Sequence, residues 1–424
     1  MLRVSWLDLD CENYLGQYTE GVVKQRFLDE ASINIVVSNN FSTLMCLGFF
    51  DGDLSKQPYG NLGPQDICTS QNQELAHEAT RQGIVLLKNS PRSLPLNAKA
   101  IKSLAVIGPN ANAIRVMIGN YEGILCNNIS PLQGVTTLVP TCYTPGYPNV
   151  QCENAQLDDA TKIATFAYAI VIVVGASLAI EAESLDRINI LLPGQEQLLV
   201  CDVANASKGP VILVSMSRGC MDVSFAKTND EITRTVWVGY PNEASGATIA
   251  NVIFGFNNPS TMIEMNFRAD PTTSYPGRTY RFYKREPFSH LEHRIVKASK
   301  LVSFPLAEDH VCHSSKCKSL DVADENCQNL AFDFHLRVKN IRQMSSSHIV
   351  LLFFTSPNMH NAPKKYLLAF EKVHSLGQLE AHVRFKVDVC KDLNVVDELG
   401  NRKVPLGQHL LIVGNLKYSL GVRI

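Results

Sequence analysis

Apolar and polar positions follow three rhythms along this chain, and each predicts a different kind of element. Four short runs, at 104–107, 169–174, 211–216 and 235–238, are almost wholly apolar. A strand buried on both faces reads this way. Each run stops on a turn signal, in order Gly108-Pro109-Asn110, Gly175, Ser217-Arg218-Gly219 and Gly239-Tyr240-Pro241. Helical stretches at 158–168, 195–206 and 247–254 lie between the runs. Alternating β and α predicts a parallel sheet covered by helices on both faces.

The second rhythm is strict alternation. Residues 332–338 (FDFHLRV) and 383–389 (VRFKVDV) change character at every step, as strands with one wet face do. With 349–354, 366–373, 409–413 and 418–422 they make about six short strands, enough for an immunoglobulin-like sandwich. The third rhythm is helical. Residues 19–40 carry Val22, Val23, Phe27, Ile33 and Val36, and a helix over 72–88 runs into the apolar Ile84-Val85-Leu86-Leu87. A short apolar segment at 7–11 precedes them. One strand and one or two helices cannot enclose a core, so residues 1–60 read as the end of a larger unit, with Val22, Phe27, Leu44 and Phe49 left uncovered.

Length divides the chain further, since single cores stop growing near about 250–300 residues. The expected segments are 1–60, a linker and lead-in helix at 61–96, an α/β domain at 97–260, a linker at 261–300 and an all-β domain at 301–424. With 39 basic and 40 acidic residues, the chain has no electrostatic footprint for nucleic acid or an anionic membrane surface. No run approaches the roughly 18 apolar residues of a membrane span, and the first residues lack a signal-peptide pattern. Twelve cysteines nevertheless suggest an oxidising compartment. Cys312, Cys317 and Cys327 lie in one polar loop and Cys142 and Cys152 flank another, which favours loop disulfides over a metal site. Sequons at Asn40, Asn128 and Asn205 point the same way. The glycine-rich turns form neither GxGxxG nor a Walker loop, so no cofactor is expected.

Candidate chemistry concentrates at 169–194, AIVIVVGASLAIEAESLDRINILLPG. The apolar run is a buried strand, Gly175 ends it, and Glu181, Glu183, Asp186 and Arg187 follow beyond its carboxyl end. Ligands of open α/β sheets bind at that edge. Pro193 is expected to open the next helix, with Leu198, Leu199 and Val203 facing inward. From pattern alone, acids in such a loop are either solvated surface or catalytic groups. Trp237 is either core packing or a sugar platform, and His290, His293, His310 and His313 lack ligand spacing.

Taken in order, QGIVLLKN (82–89), SLPL (93–96), VIGPNA (106–111), GNYEG (119–123), IEAE (180–183) and NNPS (257–260) resemble plant β-D-xylosidases and α-L-arabinofuranosidases of glycoside hydrolase family 3. The resemblance implies a multidomain α/β plus all-β fold: the remnant of an (α/β)8 barrel, an (α/β)6 sandwich and a C-terminal fibronectin-III-like β-sandwich. It implies a retaining hydrolase of xylo-oligosaccharide or arabinoxylan in the cell wall, with Glu181 as acid/base and Glu183, Asp186 and Arg187 as substrate-binding candidates. The family's nucleophile lies upstream of LDLDC (7–11), so the chain is expected to be N-terminally shortened, with Asp8 and Asp10 as poor substitutes. Its alternative is an inactive remnant that binds carbohydrate or a partner. Departures from the family pattern include Tyr147 in place of a Cys, which leaves Cys152 without its implied loop partner, Asn242 and Ser245 in place of glycines, and shortening after Ser260 and Tyr283. Arg278 to Arg281 are expected to order the interdomain link.

Overall fold

The computed structural model describes residues 8–11, 13–90, 94–151, 157–185, 187–219, 221–256, 292–304, 318–322, 330–339, 346–357, 365–375, 379–396 and 400–423. The chain divides into two compact units, Met1–Asn72 and Gln73–Ile424.

In the first unit the helical pattern resolves into two helices, α1 (Tyr14–Lys24) and α2 (Glu30–Cys46), rather than one at 19–40. The break has local causes. Arg26 takes φ 59°, in the left-handed region, and Asp29 starts the second helix by accepting the Ser32 amide at 2.8 Å. Residues 8–11 form no strand; instead Asp10 accepts the Leu15 amide at 3.0 Å. No residue of α1 or α2 is buried, and Phe27 and Phe49 are exposed, while Val22 and Leu44 are half-buried.

Helix α3 (Ser70–Gly83), in which the division between units falls, ends at Gly83 rather than at Lys88. The apolar residues beyond it form β1 (Val85–Asn89), because an apolar, half-buried run suits a pleated surface better than a helix. Five parallel strands follow: β2 (Leu104–Ile107), β3 (Thr141–Thr144), β4 (Ala169–Gly175), β5 (Val211–Met216) and β6 (Ile232–Trp237). Their order in the sheet is β1-β6-β5-β4-β2-β3, with β1 antiparallel to β6.

Every residue of β4 is buried, and alternate residues enter different cores. Ala169, Val171 and Val173 join Ile249, Val252 and Ile253 of α8 (Ser245–Ile253) and Val135 of α4 (Pro131–Thr136). Ile170, Ile172 and Val174 join Ala160 and Ala164 of α5 (Leu157–Phe166) and Leu199 and Val203 of α6 (Glu196–Ala206). The period of two therefore puts helices on both faces, as the unbroken apolar run implies. Helix α6 begins three residues after Pro193, whose carbonyl accepts the Glu196 amide at 3.1 Å; Leu198, expected inward, is exposed. Tyr147 is fully buried in the α5–α6 core.

The strands after residue 291 pair in three sheets. The longest are β10 (Ala331–Lys339) with β13 (Glu380–Asp388), and β11 (Ser346–Thr355) with β12 (Tyr366–Ser375), β16 (Gly407–Val413) and β17 (Leu416–Arg423). Phe334 and Leu336 of β10, Val383 and Phe385 of β13, Leu352 and Phe354 of β11, Leu411 of β16 and Leu420 of β17 share one core. Two sheets thus close on each other, which is the expected all-β sandwich architecture.

Among the described cysteines Cys68, Cys126 and Cys390 are disulfide-bonded, whereas Cys11, Cys46, Cys142 and Cys201 are free. Cys142 does not make the expected loop disulfide: it stands exposed on the edge strand β3. Cys152, Cys312, Cys317 and Cys327 lie outside the described residues. No described helix is long and apolar enough to cross a membrane.

Candidate active site

The parallel strands run β3-β2-β4-β5-β6, so the chain changes direction across the sheet between β2 and β4. A crevice opens outside the carboxyl ends of strands at such a switch point. Buried Asn110, in the turn after β2, bridges it by donating from Nδ2 to the Ala176 carbonyl beyond β4 at 3.2 Å.

Gly175 ends β4 at φ 141°, and a Cβ there would meet the Met216 carbonyl oxygen at 1.9 Å. Only glycine lets β4 lie this close to the end of β5. The chain then turns on Ser177, whose carbonyl accepts the amides of Ile180 and Glu181, each at 2.9 Å. A tight turn closes by reciprocal bonds between Ala182 and Leu185, with Ser184 at φ 63°. This turn aims the acids.

Glu181 is held by three donors. Its Oε1 accepts the Arg218 backbone amide at 2.7 Å and the Tyr240 hydroxyl at 2.8 Å, and its Oε2 pairs with Arg187 Nη2 at 2.9 Å. The carboxylate side chain is 12% exposed and that of Arg187 14%. Burial first, and then the Glu181 bond, push the Tyr240 phenol far above the usual range. The 217–219 turn that supplies the Arg218 amide is itself braced, because Ser217 Oγ accepts from Trp237 Nε1 at 2.9 Å and donates to the Gly219 carbonyl at 2.8 Å. Trp237 therefore shapes this turn.

Glu183, two residues on, accepts from the Tyr121 hydroxyl at 2.7 Å, and Tyr121 is 86% exposed. Loops after β2, β4, β5 and β6 thus converge on one place. The structure brings together Glu181 and Arg187, directs Glu183 to Tyr121, and leaves Asp186 outside the described residues. Arg187 also reaches Met221 Sδ from Nη1, at 3.6 Å. Tyr240, Tyr121 and the Arg218 amide went unread in the sequence. Tyr240 was visible only as part of a strand-ending turn, and Tyr121 only as part of GNYEG. His290, His310, His313 and residues 278–281 lie outside the described residues, as do Ser260 and Tyr283. No group of three or more potential metal ligands occurs among the described residues.

A carboxylate at a switch point, beside an arginine and an exposed aromatic ring, offers a group able to move a proton and a ring face able to stack. The profile of the glycosyl hydrolase family 3 C-terminal domain matches residues 84–307, and the chain belongs to that family. Beta-xylosidase/alpha-L-arabinofuranosidase 1 of Medicago sativa subsp. varia is 70% identical over 99% of this chain, which spans 58% of that relative. Beta-D-xylosidase 3 of Arabidopsis thaliana is 50% identical, with the same coverage of 99% and 58%. A solved family 3 exo-β-xylosidase, bound to a xylobiose aziridine activity-based probe, superposes with a TM-score of 0.75 at 27% identity, covering 98% of this chain and 57% of its own. The chain therefore spans somewhat over half the length of the relatives it matches.

Proposed function

We infer that this chain carries the acid/base of a retaining β-xylosidase/α-L-arabinofuranosidase, and that Glu181 is that group. The observation that carries the reading is Glu181 itself: a carboxylate at the switch-point edge of a family 3 domain, both oxygens in defined hydrogen bonds. The 70% identical Medicago relative, by its name, acts on β-xylosides and α-L-arabinofuranosides, which supports the substrate class.

In the first half-reaction a nucleophilic carboxylate attacks the anomeric carbon, the glycosidic C–O bond breaks, and the Glu181 proton goes to the departing oxygen. In the second, the Glu181 carboxylate takes a proton from water as that water displaces the enzyme from the sugar. The two carboxyls must stand about 5–5.5 Å apart. The nucleophile comes from the part of the relatives' length that this chain does not span; Asp8 and Asp10 are not assigned to it. All three described neighbours of Glu181 donate to it, an arrangement that suits the carboxylate form acting as base in the second half-reaction. Arg187 and the exposed Tyr121 ring, tethered by Glu183, are the proposed contacts for xylo-oligosaccharide or arabinoxylan, and Asp186, next to Arg187 in the sequence, is proposed with them.

The finer architecture follows the same reading. Residues 1–60 are assigned to a barrel remnant, 61–96 to the linker and lead-in helix, 97–260 to the (α/β)6 sandwich, 261–300 to a linker, and 301–424 to the fibronectin-III-like domain. Disulfide-bonded Cys68, Cys126 and Cys390 support residence in an oxidising compartment such as the cell wall. The deciding experiment is hydrolysis of p-nitrophenyl β-xyloside and α-L-arabinofuranoside by the 424-residue chain, alone and together with the portion of the Medicago relative that this chain does not span. Turnover that falls about 10²- to 10⁴-fold in Glu181→Gln supports the assignment. Full turnover in that variant removes Glu181 from the reaction.

A further inference from the structure

The family mechanism asks for a carboxyl group that releases and takes back one proton, but a carboxyl group has two oxygens and only one need do so. Here the two differ. Among the described residues Oε1 accepts two hydrogen bonds, from the Arg218 amide and the Tyr240 hydroxyl, whereas Oε2 accepts one, from Arg187. An ionised carboxylate offers about four acceptor positions, two on each oxygen. Oε1 is therefore filled and Oε2 keeps one position open. Gly219 lies next to the Glu181–Arg187 pair, where a Cβ would stand 3.1 Å from Arg187 Nη2 and 3.8 Å from Glu181 Oε2.

Resting on the assignment of Glu181 as acid/base, we propose that Tyr240 is a positioning residue that anchors Oε1, so that Oε2, beside Gly219, is the oxygen that exchanges the proton with the sugar and with water. The two anchors come from different strands' ends, the Arg218 amide after β5 and the Tyr240 hydroxyl after β6, so Oε1 is held from two separate elements. Tyr240 is suited to the task because its phenol keeps its proton: burial, and after it the carboxylate it faces, hold its titration far above working pH. It donates in both halves of the reaction and never competes for the proton being moved. Arg187 stays on one position of Oε2 while the proton passes between the other and the leaving-group oxygen.

Tyr240→Phe removes the hydroxyl and keeps the ring. The first readout needs no turnover: the Arg218 amide proton, held at 2.7 Å by Oε1, reports by NMR where the carboxylate sits. In Tyr240→Phe that resonance is expected to move toward its position in Glu181→Ala, while resonances of the all-β domain stay in place. The second readout is leaving-group dependence, measured on the chain combined with that same portion of the Medicago relative. Acid assistance matters for p-nitrophenyl β-xyloside and most for xylobiose, and little for 2,4-dinitrophenyl β-xyloside, whose 2,4-dinitrophenolate departs unprotonated. A misplaced acid costs about 10- to 100-fold on the first two substrates only.

An Arg218 resonance unmoved in Tyr240→Phe, or equal losses on good and poor leaving groups, overturns the positioning role. Failure of the underlying assignment looks different: Glu181→Gln itself would then show no leaving-group dependence, while the Arg218 resonance would still decide whether Tyr240 anchors the carboxylate.

Discussion

The helix-covered sheet and the C-terminal sandwich are both built from strands, yet they place polar groups in opposite ways. In the first, β4 is buried along its whole length, and the polar groups that matter stand just past the strand ends: Asn110, Glu181, Ser217 and Tyr240. In the second, β10 alternates buried and accessible positions, and a polar side chain, His409, is buried within β16. A sheet covered on both faces admits few polar side chains along its strands, here Ser215, Arg234 and Thr235, and the other polar groups gather past the strand ends, where loops can satisfy them. A sandwich carries polar residues on its wet face along every strand, so their presence there signals little. This contrast is why the candidate site lies where it does.

The sharpest way to break the contrast is at Gly175. An added methyl meets the Met216 carbonyl oxygen, and the backbone holds φ at 141°, so Gly175→Ala must push β4 away from β5. Strain of both kinds is expected to cost at least about 3 kcal/mol, measured by chemical denaturation. A loss under about 1 kcal/mol would mean that the strand end is not rigid. In the sandwich the matching test is a cavity. Leu336, fully buried on β10, should cost about 2–5 kcal/mol on change to Ala, and the effect should be confined to probes in the all-β domain.

His409 tests the other half of the comparison. It donates from Nε2 to the Pro405 carbonyl at 2.7 Å, packs against Phe354, and has no partner for Nδ1 among the described residues. Burial, opposed in part by the Pro405 bond, lowers its pKa below the usual 6.5. The unfolded chain then binds a proton that the folded one refuses, so stability is fully present above pH 6.5 and falls as pH drops toward the folded-state value. His409→Gln should flatten that slope in melting curves recorded below pH 6.5. An unchanged slope would assign the pH dependence to other groups.

How much of this was legible follows the same contrast. Runs 104–107 and 211–216 coincide with β2 and β5, and 169–174 falls one residue short of β4, because unbroken apolar runs flanked by glycine leave few alternatives. The alternating segments 332–338 and 383–389 lie within or across β10 and β13, though Val389 already belongs to the next turn of helix. Elements without a strong period were missed. β3 is only half-buried and β1 continues directly from a helix, so neither carries a clean signal. Glu181 was found through family motifs, and its setting was not, because Tyr240 lies 59 positions away and only the sheet order brings the loops together. Leu198 shows the limit at finer scale: it adjoins buried Leu199, and the turn of the helix from one residue to the next carries a side chain from core to solvent.

The smallest expected effect lies beside the site, at Asn242. The family resemblance leads one to expect glycine here, and the φ of Asn242 is 58°, in the left-handed region that glycine adopts freely. Asparagine tolerates that region better than most residues, so the penalty is only part of the roughly 1–2 kcal/mol that it costs an ordinary side chain. Glycine would remove the penalty but would add freedom to the unfolded chain, worth about 0.5–1 kcal/mol. The two nearly cancel. Asn242→Gly should therefore change stability by no more than about 0.5 kcal/mol, with the amide still donating to the Met117 carbonyl at 3.0 Å. The neighbouring Glu243, which accepts the Cys126 amide at 2.6 Å, should hold the loop in place, so the Arg218 resonance should not move. A gain well above 1 kcal/mol would show that the turn carrying Tyr240 is strained in the present chain, and that its departure from the family pattern reaches the site.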